Sequence, residues 1–404
     1  INDKKSKIKL LVDCVNIIIE ELRNRLIEYN TLELLKFLMY RHEAIIQANE
    51  YRKLYIPARL ECFSKYTDVF NEFQESESEH VNASLSMRCL IEFVSSEPSF
   101  GEKLPNDDDV DYLLSLMNEM IYFGYFQDLI RFDIDNPKMG LLESGRIGIS
   151  KGFFDDVLNN YNKSNKEDEL VDYKENFESN FNKHEKKELD KKTDDDYFNK
   201  IDEAFLIDWG ITFLEINTIS LFLAEYCFVQ ESSYFKMEED ELIELIFKET
   251  KFNKEKITLY FNVLTLNSRG KMDKPPVGYI IPEIFPWRYN RKLSYLRKPL
   301  IKIIDKEKKV WYFWSSRFLI KASDNLIYQF SNASLRVEDE HNKIKNLIAK
   351  RLNIKGKNFR NEVRDWLVKN TQLRVIDFEV KIDVKGVLVG NKNYGDIDIL
   401  AFDD

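Results

Sequence analysis

The sequence predicts a mainly α-helical N-terminal region followed by a C-terminal α/β unit, and three observations carry that expectation. Apolar residues recur at three- and four-residue intervals through most of positions 7–135, the spacing of one helix face. Glycine and proline are scarce, 13 and 9 in 404 residues, with no proline after Pro299, which disfavours loop-rich β architectures. From Gly356 onward the pattern changes to helix, strand, turn, strand.

Taken in order, KIKLLVDCVNIIIEELRNRLIEY, TLELLKFLMYRHEAIIQANEYRKL and DVDYLLSLMNEMIYFGYFQDLIRF each read as amphipathic helices that pack on one another. Residues 1–163 are assigned to this helical domain. Residues 164–202 are dominated by Lys, Glu, Asp and Asn, as in a charged helix or solvated linker. Periodicity returns in AFLIDWGITFLEINTISLFLAEYCFV and DELIELIFKE, so 203–270 is read as helical. The segment 271–339 is a mixed α/β, basic and aromatic stretch, in which residues 299–304 and 310–314 flank DKEKK as a β-hairpin. A basic helix follows from about Glu340 to Arg351, opening the terminal unit 340–404.

Length and composition bound the function. At 404 residues the chain is expected to form two or three domains. No run of 18 apolar residues and no leader-like pattern is present, so the expectation is a soluble, cytoplasmic protein without a membrane partner. The cysteines (Cys14, Cys62, Cys89, Cys227) and histidines (His42, His80, His184, His341) are scattered, unlike zinc ligands, and the thiols read as buried and reduced. GRIGISKG lacks the spacing of a phosphate-binding loop, and the aspartate runs at 107–109 and 194–196 read as helix caps or solvated turns. The first residue is Ile1, and the chain is expected to extend beyond the 404 residues.

Charge is uneven. Residues 286–374 hold 22 Lys/Arg against 8 Asp/Glu, a local +14 in a chain of net −10. Such a segment is a local footprint for phosphates, or a lysine-rich surface without a partner. Arg288, Arg291, Arg297 and Lys298, interleaved with Trp287, Tyr289 and Tyr295, have the composition to clamp phosphates and stack bases. Aromatic packing with snorkelled arginines is the competing reading. Lys355, Lys357 and Arg360 extend the nucleic-acid-binding candidates into the terminal unit.

The terminal unit carries the chemistry. In NFRNEVRDWLVKN, Phe359, Val363, Trp366 and Leu367 share a helix face with Glu362 at its border. VIDFEVKI alternates as a half-buried strand, KGVLVGNKNYGD supplies a turn, and DIDILAF places Asp396 and Asp398 on one face of a second strand. Carboxylates in an apolar strand are costly unless compensated. A hard divalent cation is one compensation, and it can also activate water beside a scissile phosphate. Simple solvation of a strand start is the other.

Helix with glutamate, strand, turn, then G-D-I-D at the head of an apolar strand resembles the PD-(D/E)xK nucleases, over residues 356–404. The resemblance implies a restriction-endonuclease-like α/β domain, here truncated. It implies catalytic Glu362 and Asp398, and Mg²⁺ or Mn²⁺ on Asp398, Glu362 and Asp396. It further implies hydrolysis of nucleic-acid phosphodiesters, DNA before RNA. The family's Glu/Gln-x-Lys is expected on a strand beyond Asp404. The domain layout resembles that of restriction and antiphage proteins, which implies a defence role with a homo-oligomeric or defence-system partner. The alternative is a non-catalytic helical scaffold or sensor whose terminal domain binds nucleic acid or protein.

Overall fold

The computed structural model describes the backbone of residues 3–62, 66–150, 191–288, 290–372, 374–381 and 396–402, and the side chains of 3–52, 55, 80–150, 199–288 and 290–372. The chain divides into two compact units, residues 1–327 and 328–404.

Unit 1–327 begins with four helices, α1 (Lys4–Leu26), α2 (Thr31–Cys62), α3 (Tyr66–Ser96) and α4 (Asp107–Arg131). Each start has a local cause. Asp3 caps α1 by accepting from the Ser6 amide at 2.9 Å, and Asn106 caps α4 by accepting from the Asp109 amide at 2.9 Å. The aspartate run 107–109 forms the first turn of α4, where negative charge meets the positive end of the helix dipole. α1 packs on α4, α2 on α3 and α3 on α4. The faces they bury are the periodic ones, with Leu22, Leu34, Leu38, Met87, Leu90, Phe93 and Met117 in one core.

A short hairpin, β1 (Met139–Leu141) and β2 (Ile147–Ile149), follows α4 and takes up part of the glycine-bearing GRIGISKG. Then come α5 (Lys191–Trp209), α6 (Phe213–Val229), β3 (Tyr234–Glu238), α7 (Glu239–Thr250), α8 (Lys254–Leu264) and β4 (Thr265–Asn267). The stretch 204–229, periodic throughout, is two helices bent by 86°. Gly210 takes φ +72, a left-handed conformation suited to a residue without Cβ. Thr212 and Glu215 then restart the chain with a reciprocal capping box.

The region 203–270, expected to be all helix, therefore also holds two strands. β3 and β4 join β5 (Leu300–Ile304) and β6 (Val310–Ser315) in a mixed four-stranded sheet of order β3-β6-β5-β4. Only β4 and β5 run parallel. The sheet shares the helical core through Ile301, Ile303 and Phe313. The DKEKK turn closes the β5–β6 hairpin because Asp305 accepts from the amides of Glu307 and Lys309, both at 2.9 Å, and from Trp311 Nε1 at 2.8 Å. α9 (Ser316–Ser331) follows directly. Buried Glu43 of α2 caps it, accepting from the amides of Arg317 at 3.0 Å and Phe318 at 2.8 Å and from Ser316 Oγ at 3.2 Å.

Unit 328–404 buries Phe330, Leu335, Val337, Ile344 and Ile348. Its main elements are α10 (Asn342–Asn370) and the antiparallel ribbon β7 (Arg374–Lys381) with β8 (Asp396–Phe402). The basic stretch 340–351 and NFRNEVRDWLVKN, read as successive helices, form one helix of 29 residues. Among the described residues no single helix is long and apolar enough to cross a membrane. The protein is mostly helical with a small mixed sheet.

Candidate functional site

The candidate site is built on the β7–β8 ribbon. Pairing sets Lys381 opposite Asp396, Val380 opposite Ile397, Phe378 opposite Ile399 and Asp377 opposite Leu400. Glu379 and Asp398 lie between the Val380–Ile397 and Phe378–Ile399 pairs on each strand, so they stand opposite one another. Directly opposed residues of an antiparallel pair share a face, and every second residue returns to it. Asp377, Glu379, Lys381, Asp396 and Asp398 thus occupy register positions on one face of the ribbon, and Phe378, Val380, Ile397 and Ile399 the other. The one shift of register, between Val375 and Asp377, precedes this stretch and leaves its alternation intact.

By residue type, Lys381 stands on this face with four carboxylates. The carboxylates are the hard oxygen donors that Mg²⁺ and Mn²⁺ select. The donor chemistry of this face therefore fits a divalent cation. Among the described residues no group of three or more His, Cys, Asp or Glu is placed to hold a metal ion.

α10 packs on both strands. Val363 and Leu367 are half-buried on it, whereas Phe359 and Trp366 are 68% and 59% exposed. The buried side of the helix is therefore turned away from the 359/366 line that the apolar pattern had marked. Glu362, spaced three and four residues from those two rings, lies exposed with them.

The cationic candidates separate into two groups. Arg288 makes a two-pronged contact with Asp128, Nε to Oδ2 at 2.6 Å and Nη2 to Oδ1 at 2.8 Å, and Trp287 Nε1 adds a third bond to Oδ2 at 2.9 Å. Arg291, 5% exposed, pairs with Glu92 through Nη1 to Oε2 at 2.8 Å and Nη2 to Oε1 at 3.0 Å. Burial works against that guanidinium, but the adjacent Glu92 charge outweighs it and holds the Arg291 pKa above its ordinary value. Arg297 is buried with its guanidinium 5.2 Å from the Trp209 ring centre. Lys298 Nζ donates to the Val263 carbonyl at 3.2 Å. Tyr289 lies outside the described residues. In α10, Lys357 is exposed, Arg360 is half-buried, and Lys355 Nζ donates to Asn332 Oδ1 at 2.7 Å.

Residues 1–404, the whole chain, match the family model described as anti-phage protein Upx-like. The chain belongs to the Upx-like family of anti-phage proteins. Its role is in antiphage defence. No curated protein and no solved structure matches it.

For this Upx-like chain the register brings Glu379 and Lys381 to the face of Asp396 and Asp398. Glu379-Val380-Lys381 is a Glu-x-Lys triplet in plain view. By periodicity alone it is half of an alternating strand, and the resemblance places the Glu/Gln-x-Lys after Asp404. What relates it to Asp398 is strand pairing across the 382–395 connection, which no local pattern encodes. The available signal was charge alternation itself, since Asp377, Glu379 and Lys381 are three charged residues in succession at every second position of that strand.

Proposed function

We propose that this Upx-like chain acts in antiphage defence as a metal-dependent nuclease whose working face is the β7–β8 ribbon. The observation that carries the reading is the register that sets Glu379 opposite Asp398 and Lys381 opposite Asp396. Asp398 and Glu379, with Asp396 and Asp377 alongside, would hold Mg²⁺ or Mn²⁺. Glu362 is retained as a further ligand supplied by α10. When bound, such an ion neutralises charge on a phosphate and lowers the pKa of a coordinated water. The chain's own contributions are separate. Its carboxylates fix the donor set, and Lys381 offers an ammonium beside them to orient the attacking water or to neutralise the phosphate. Water adds to phosphorus, the P–O ester bond breaks, and the leaving oxygen takes up a proton. DNA is the preferred substrate class, and phosphate guidance falls to Lys355, Lys357 and Arg360, which lie on α10, the helix that packs on the ribbon.

Cleavage of labelled DNA and RNA in Mg²⁺ or Mn²⁺ tests this directly. Asp398→Ala and Lys381→Met should each abolish metal-dependent cleavage, a loss of 10²-fold or more by analogy with removal of one electrostatic catalytic group. Without metal, Asp398→Ala should melt no lower than the wild type, and Lys381→Met, which removes the cation opposite Asp396, no higher. Mn²⁺ should raise the melting temperature of the wild type and leave that of Asp398→Ala unmoved, since only a species that binds the ion is stabilised by it. Retained cleavage in both variants would sink the assignment.

A further inference from the structure

The second half of α10 presents a feature that metal chemistry does not use. Leu352, Phe359 and Trp366 are spaced by seven residues, which returns to nearly the same side of a helix, about 20° off per heptad. They are 55%, 68% and 59% exposed, respectively. Along this line Lys355 and Glu362 are interposed, and Lys369 follows one turn after Trp366. The helix as a whole carries nine Lys and Arg (343, 345, 350, 351, 355, 357, 360, 364, 369) against two acids, Glu362 and Asp365. It is a +7 rod in a chain of net charge −10.

Two large aromatic rings standing in water are costly for a monomer with nothing to cover them. Aliphatic residues would suit a protein interface as well, but rings beside cations suit bases. Each base has a π-face that stacks on an aromatic side chain whatever its sequence, while the backbone phosphates follow the positive charge. Rings in a duplex are already stacked on one another and are out of reach of a helix surface. Phe359 and Trp366 are about 10 Å apart along the axis, so one strand would meet them with separate bases.

We infer that the Leu352–Phe359–Trp366 face of α10 is a stacking platform for single-stranded nucleic acid. The inference stands on the helix alone and goes beyond the cleavage reading, because binding here needs neither a metal nor the ribbon carboxylates. A second copy of this chain is the competing occupant, since its acidic bulk would also suit a +7 helix.

The test is fluorescence anisotropy of the full chain with a labelled single-stranded oligonucleotide and with its duplex, in EDTA so that no cleavage intervenes. Sedimentation of the same samples reports oligomeric state. The wild type should bind the single strand more tightly than the duplex. Phe359→Ala/Trp366→Ala should weaken single-strand binding by about 30-fold or more and change duplex binding little, given the usual cost of removing a base–aromatic stack. Phe359→Leu/Trp366→Leu keeps an apolar face and removes the rings. It should lose single-strand affinity equally, whereas a protein interface would survive it. Single-strand binding that is absent in the wild type, or unchanged in the leucine variant, overturns the inference. So does a change from dimer to monomer in the alanine variant with affinity intact. None of these outcomes bears on cleavage, which the Asp398→Ala experiment reads separately.

Discussion

His42 sits on α2 with the Phe318 ring 4.9 Å and the Tyr295 ring 6.2 Å from its own centre, and with Nε2 3.2 Å from Ser84 Oγ. Burial, with smaller contributions from the charges of Arg88 and Lys321, pushes its pKa from 6.5 down to about 3. The folded ring is therefore neutral at all ordinary pH, while in the unfolded chain it protonates near 6.5. Between those values the unfolded state holds one proton more, so stability falls as pH is lowered through the window, by up to about 1.4 kcal/mol per pH unit. Above about 6.5 the ring contributes no pH dependence. The neighbouring Glu43 has the opposite sign. Burial raises its pKa, so it favours the folded state at low pH, and that contribution is lost as pH rises through its folded value. His42→Phe keeps a ring between Phe318 and Tyr295 and removes the titration. Urea midpoints at pH 7.5 and pH 5 should show the wild type losing more stability on acidification than the variant. Equal losses would mean that the imidazole reaches water.

At the scale of elements, helix α4 meets the 281–299 crossover through a residue that has no side chain. A Cβ placed on Gly124 would fall within the ring of Trp287, against its Cδ2, Cε3 and Cε2 atoms. That indole cannot swing away freely, because Nε1 is bonded to Asp128 and the ring stacks on Phe285 with centroids 4.6 Å apart. Gly124→Ala would gain about 1 kcal/mol of helix propensity and lose about 1–3 kcal/mol or more to overpacking. Net destabilisation is the expected outcome by thermal or urea unfolding, with partial rescue when Trp287→Leu is added. A neutral or stabilised Gly124→Ala would show that α4 does not press on the indole. The elements legible in the sequence were those with strong periodicity or turn chemistry: α1, α2, α4, α6, α7, the β5–β6 hairpin and both ribbon strands. α3 falls within the span read as helical, but its bounds were not legible because NEFQESESEHVNAS breaks its apolar rhythm with polar residues. β3 and β4 escaped because five and three residues are too short to show a period of two, and each abuts a helix. The end of α5 at Gly210 was masked by apolar spacing that continues across the bend. Of the candidate site, Asp396 and Asp398 could be marked from the carboxylates alone, whereas Glu379 and Lys381 needed the pairing of strands joined by a 14-residue connection.

Over the whole molecule, the basic balance of residues 286–374 overstates what a polyanion would meet. Arg288 and Arg291 face Asp128 and Glu92, carboxylates more than 150 residues earlier in the chain, and Arg317 lies 3.2 Å from Glu50. Local charge counting cannot see partners that arrive from α2, α3 and α4. The consequence can be measured as a salt slope, because each cation that neutralises a phosphate on binding adds about 0.7 to the slope of log K against log salt for a single strand. Replacing Lys355, Lys357 and Arg360 together with Gln should lower that slope by about 2 and weaken binding alike for all sequences. Arg288→Gln should leave the slope unchanged and instead lower the unfolding midpoint, since it strands Asp128 beside Trp287. Folding and binding are therefore read by different instruments, and the two substitutions should move different ones. A slope reduced by Arg288→Gln as much as by one of the α10 cations would return that arginine to the nucleic-acid interface and break the division of labour drawn between the cations of unit 1–327 and those of α10.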